Sequence, residues 1–101
     1  MELTELEREI LKYFMAMRKM YNEEGIGMTD HLLYFSNDTI RAAYASLVAK
    51  LETRMGVPNS GFYSDIFLKF GESIGVKLSP DDTMDKCLIR ARELAKCKFH
   101  F

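Results

Sequence analysis

Residues 38–55, DTIRAAYASLVAKLETRM, carry the clearest helical pattern in the chain and its least polar stretch. Ile40, Tyr44, Leu47, Val48, Leu51 and Met55 recur at spacings of three and four, which puts them on one face of a helix. Ser36, Asn37 and Asp38 offer N-cap oxygens. Gly56 and Pro58 supply a stop signal. Ala42, Ala45, Ser46 and Ala49 make a second stripe where a surface helix would carry Lys and Glu. The expectation is a central helix covered on two sides, against which the rest packs. Leu47→Ala should then cost about 2–5 kcal/mol, measured by urea denaturation.

The flanking segments read as helices too. Thr4 with Glu7 forms a capping-box pattern at the start of the first. Leu6, Ile10, Tyr13, Phe14, Met17, Met20 and Tyr21 make its apolar stripe, and Gly25 and Gly27 end it. Thr29–Phe35 is expected to form one or two helical turns. Gly56–Gly61 is a loop, followed by a helix over Phe62–Ile74 with Gly71 marking a close crossing and Gly75 the stop. Ser79-Pro80-Asp81-Asp82 has the chemistry of a helix start. The buried stripe of that last helix is Met84, Cys87, Leu88, Ala91, Leu94 and Ala95. No strand pattern or repeat competes. The fold class is all-α: a single domain over residues 1–101, a compact bundle of four main helices plus one short helix.

Hydrophobic residues at 48% and charged residues at 29% suit a packed core, and a net charge of −1 gives no overall basic excess for nucleic acid or anionic lipid. The acidic start, MELTELERE, lacks the form of a signal peptide, and no apolar run approaches the roughly 20 residues of a membrane span. Cys87 and Cys97 lie ten positions apart on one helix, about 15 Å along its axis, too far for a disulfide. Two reduced thiols suit a cytoplasmic protein.

Catalytic signatures are sparse. Cys97 and His100 have a C-x-x-H spacing, but a structural zinc site needs four ligands, and only Cys87 and His31 remain. Cys87 falls on the apolar stripe, where thiols are inert. There is no Gly-rich phosphate loop or His-Glu metal helix. The reading is therefore no enzyme, no cofactor and no metal.

What remains is surplus apolar surface and separated charge. Leu11, Met15, Tyr63, Leu68 and Ile89 fall beside or off the main stripes, and Phe99 and Phe101 sit on a basic tail. A domain this small has limited interior, so some of these should stay exposed until a partner covers them. Glu2, Glu5, Glu7 and Glu9 crowd the beginning; Lys86, Arg90, Arg92, Lys96 and Lys98 crowd the end. The expected function is protein–protein binding of immunity, inhibitor or adaptor type, for instance neutralising a toxin, with a homodimer as the competing use of the same surface. Glu5, Glu9, Arg90, Arg92, Lys96, Phe99 and Phe101 are the candidate partner-binding residues. The five charged ones are expected to be exposed and to tolerate charge reversal.

A second reading comes from LTELEREILKYF and SNDTIRAAYASL, which resemble the first and recognition helices of helix-turn-helix DNA-binding regulators. The likeness covers about half the chain. It departs at Asp30, where a small residue is usual, and at Tyr34, where the turn usually has Gly. Arg41 and Lys50 would be its phosphate ligands; the exposed positions Ala42, Ala45 and Ala49 offer little for base readout.

Overall fold

Thr4 and Glu7 open the first helix by satisfying each other. The Glu7 amide donates to Thr4 Oγ1 at 3.1 Å, and the Thr4 amide donates to Glu7 Oε1 at 2.8 Å. This reciprocal cap satisfies donors that a helix start leaves free. The computed structural model describes residues 2–21, 38–56 and 63–99, with the side chains of residues 20, 21, 63, 64 and 97–99 excepted. Among the described residues the protein is all-α, with helices α1 (Glu5–Tyr21), α2 (Asp38–Met55), α3 (Tyr63–Ser73) and α4 (Met84–Phe99). None is long and apolar enough to cross a membrane. The expected short helix over Thr29–Phe35 lies outside the described residues.

The organising helix is α1, not α2. Both α1 and α2 pack against all three other helices, but α1 makes the more extensive contact with α3 and α4. The cause is the width of its apolar surface. Ile10, Leu11, Tyr13, Phe14, Met15, Ala16 and Met17 are all buried, and between them only Lys12, with a side chain 20% exposed, reaches water. The expectation that Leu11 and Met15 wait for a partner is corrected here, since the bundle itself covers both. On α2, only Ile40, Leu47 and Leu51 are fully buried. Ala42, Ala45 and Ala49 are exposed, so α2 is covered on one side rather than two. Its small residues reflect helix propensity, not a second packed seam.

Aromatic rings fill the centre. Phe14 stacks on Phe67 with centroids 4.7 Å apart and planes 12° from parallel. Tyr44 of α2 leans on both rings, at 5.5 Å from Phe14 and 6.3 Å from Phe67. Tyr13 meets Phe14 edge-on at 5.3 Å. These offset and edge-on pairs match the ring quadrupoles.

Gly71 lets α3 come close to α1, as its place in the sequence suggests. A Cβ there would sit 2.7 Å from Met15 Cε and closer still to its sulfur. Met15 is only 2% exposed, so its side chain has little room to swing aside. Gly71→Ala therefore gains about 1 kcal/mol of helix propensity but overpacks the crossing at about 1–3 kcal/mol. The expected net result is a lower urea midpoint. Made in a Met15→Ala background, the same change should instead be neutral or stabilising.

The helix ends are locally determined. Gly56 (φ 85°) closes α2 with a single bond from its amide to Glu52 O at 2.8 Å. Gly75 (φ 83°) closes α3 in a Schellman motif, with Val76 N bonded to Gly71 O and Gly75 N to Glu72 O. Arg54 of α2 adds its guanidinium to the same end, donating to Ser73 Oγ at 2.9 Å and Ser73 O at 3.2 Å. The start of α4 corrects the sequence reading. Ser79-Pro80-Asp81-Asp82 forms a separate turn, closed by Asp82 N to Ser79 O at 2.9 Å. The N-cap is Thr83, whose hydroxyl accepts from Lys86 N at 3.3 Å. A Ser-Pro-Asp-Asp run has the local chemistry of both a cap and a turn, and Thr83 takes the capping role one step later.

Candidate partner-binding surfaces

The turn before α4 exists to aim one carboxylate. Asp82 Oδ2 accepts from the Ser79 amide at 2.9 Å and from the Ser79 hydroxyl at 3.1 Å. Its other oxygen accepts from Arg90 Nη2, one helical stretch along α4. On α1, Glu9 and Lys12 are three apart and face the same seam. Arg90 Nε donates to Glu9 Oε1 at 2.9 Å, and Lys12 Nζ stands 3.7 Å from Asp82 Oδ2. Two carboxylates and two cations thus balance between α1, the turn and α4. Burial pushes the Asp82 carboxyl up, but the Ser79 amide, Arg90 and Lys12 outweigh it and hold it below its ordinary range.

Cys87 borders this cluster, with Arg90 Nη2 3.4 Å from its sulfur. The thiol is fully buried, as its place on the apolar stripe implies. Burial raises its pKa and the carboxylates of Glu9 and Asp82 add to that, which outweighs Arg90. It stays protonated at neutral pH and makes a poor nucleophile or metal ligand.

Glu7 forms a second internal pair. Lys50 Nζ lies 2.7 Å from Glu7 Oε1 and 3.0 Å from Glu2 O. Burial raises the Glu7 carboxyl, while Lys50, Ser46 and the Thr4 amide more than offset that and lower it. Lys50 therefore spends its charge inside the protein rather than on a phosphate. Arg41, the other expected phosphate ligand, is exposed and stands 3.5 Å from Asp38.

The candidate partner-binding residues separate into distinct groups. Glu5 and Lys96 are exposed as expected. Glu9 and Arg90 are not: they meet each other across 81 residues of chain, with side chains 14% and 35% exposed. The segregated charge that suggested a partner is thus partly complementarity between α1 and α4. Arg92 is half-buried and engaged within the fold. The Phe99 side chain and Phe101 lie outside the described residues, as do His31, His100 and the Cys97 side chain. Among the described residues, no three His, Cys, Asp or Glu side chains gather where they could hold a metal ion.

Two concave surfaces lie apart from most of these residues. One open groove of about 410 Å³ lies where α1 and α2 begin, lined by Thr4, Leu6, Glu7, Asp38, Thr39, Ala42 and Ala43. A larger one of about 530 Å³ runs between α1 and residues 78–84, with Ala16, Leu78, Pro80 and Met84 as its apolar wall and Lys19 and Asp82 among its lining. Ile89, on the outer face of α4, is 53% exposed. The signal for the larger groove was present in Pro80, inside the segment read only as a helix start, and in Leu78 just before it.

No family model matches the chain, and comparison with curated proteins and with solved structures returns no match.

Proposed function

We propose that this is a non-enzymatic helical protein that acts in the cytoplasm by binding another protein, in the manner of an immunity protein, an inhibitor (for example one that neutralises a toxin) or an adaptor. The observation that carries the reading is the groove between α1 and residues 78–84. It is shallow, open and largely apolar, the form of a surface that meets another macromolecule rather than one that encloses a small substrate. The exposed Ala42, Ala45 and Ala49 face and the exposed Ile89 add to the apolar area left uncovered. The ionised groups at the α1–α4 seam are balanced in pairs, which suits a structural role better than a catalytic one.

The test is affinity capture from native lysate, with and without nuclease, alongside sedimentation of the purified chain. A stoichiometric protein that survives nuclease supports the proposal. Recovery of nucleic acid, or loss of the captured protein on nuclease treatment, favours the helix-turn-helix reading. Concentration-dependent self-association without a captured partner assigns the apolar surface to a homodimer instead.

A further inference from the structure

Residues 77–86 join α3 to the buried part of α4, and a carboxylate is their anchor. Between Val76 and Cys87, both buried, Asp82 is the one buried residue; Leu78 and Met84 are half-buried on the groove wall and the others are exposed. The Ser79 and Thr83 caps close within the stretch, as does the exposed Asp81–Lys86 pair at 3.3 Å. Asp82 reaches outward as well, to Arg90 farther along α4 and to Lys12 of α1, with Glu9 and the Cys87 thiol beside Arg90. A segment with so little buried apolar surface opens more readily than a core helix.

We propose that residues 77–86 form a strap that opens as a unit while the rest of the bundle stays folded, with Asp82 as its latch. This goes beyond the binding reading and does not depend on it. Opening returns Asp82 and Arg90 to water, and their hydration offsets much of the lost pairing. It also bares little apolar area, so it costs less than unfolding the core of α1 or α2. Residues 78–84 are one wall of the larger groove, so the strap sets that groove's width. The Cys87 thiol reports on the strap: it follows the strap directly, is 0% exposed, and has Arg90 3.4 Å from its sulfur.

Iodoacetamide labelling of Cys87, located by peptide mass, tests this in the full chain. In wild type the labelling rate should stay nearly flat with urea below the unfolding transition, because opening the strap exposes little surface. Asp82→Asn keeps the shape of the side chain but not its charge, and should speed labelling about tenfold. Leu47→Ala weakens the core of α2, outside the strap, in the closed and open forms alike, so it should leave the rate unchanged. A rate that climbs with the full urea slope of global unfolding from the lowest concentrations would overturn the strap. A Leu47→Ala protein labelled faster in step with its lost stability would do the same. Labelling of Asp82→Asn at the wild-type rate would overturn the latch. So would an Asp82→Asn chain that fails to fold, since Asp82 would then hold the whole bundle rather than the strap.

Discussion

Phe14→Ala is expected to lower the unfolding free energy by about 3–5 kcal/mol. Phe14 is 1% exposed and lies where three elements meet. It stacks on Phe67 of α3, touches Tyr44 of α2 and meets Tyr13 edge-on. Removing its ring deletes a large transfer contribution and leaves a cavity walled by stiff aromatic groups that collapse poorly. A domain of this size has about 5–15 kcal/mol in total, so the variant should be near the edge of folding. Urea denaturation measures the loss. A change below about 1 kcal/mol would mean that α1 is not the helix the others pack around.

Arg90→Glu is expected to cost about 3 kcal/mol, although charge reversal here looked harmless from the sequence. The substitution removes the cation between Glu9 and Asp82 and adds a third carboxylate in its place. Asp82 has a side chain only 6% exposed, so water can do little to screen it. Arg90 itself is a third exposed, which tempers the cost of losing its charge but not that of stranding Asp82. Glu5→Lys and Lys96→Glu, at exposed positions in a first and a last helical turn, should cost no more than about 1 kcal/mol, through the helix dipole. The contrast between seam and surface positions is read from their urea midpoints.

The seam and the Glu7–Lys50 pair together set the acid response. Asp82 and Glu7 both have carboxyls held below their ordinary values in the folded protein. A lowered folded-state pKa stabilises above the unfolded value and loses that contribution as pH falls through the folded one. The urea midpoint should therefore hold near neutral pH and fall as the pH drops below about 4. In Arg90→Glu, the Asp82 share should disappear at higher pH than in the wild type.

Local chemistry was legible in the sequence, and long-range chemistry was not. The Thr4–Glu7 cap, the ends of α2 and the Gly75 stop depend on residues a few positions apart, and each is where the pattern put it. Gly71 was legible because a glycine inside a strong helical stripe needs a packing reason, which Met15 supplies. The Ser79–Asp82 turn misled because its oxygens can cap either a helix or themselves. The choice of organising helix went wrong because the small residues Ala42, Ala45 and Ala49 blur the contrast between the faces of α2, whereas α1 has both the sharper and the wider apolar face. Glu9 and Arg90 each border a buried stripe, beside Ile10 and Ala91, and a charge in that position points to an internal partner. Nothing in the sequence names which charge that partner is, because the pair forms only once α1 and α4 dock. Of the candidate site, Glu5 and Lys96 were correctly placed on the surface, while the groove arises from chain segments distant in sequence.

The most direct test of the functional account is amide hydrogen exchange on the protein, free and bound to its captured partner. The account predicts slowed exchange at residues 16–19 and 78–84 on binding, with little change along the exposed face of α2. Slowed exchange confined to residues 42–49, with the groove unchanged, would contradict it.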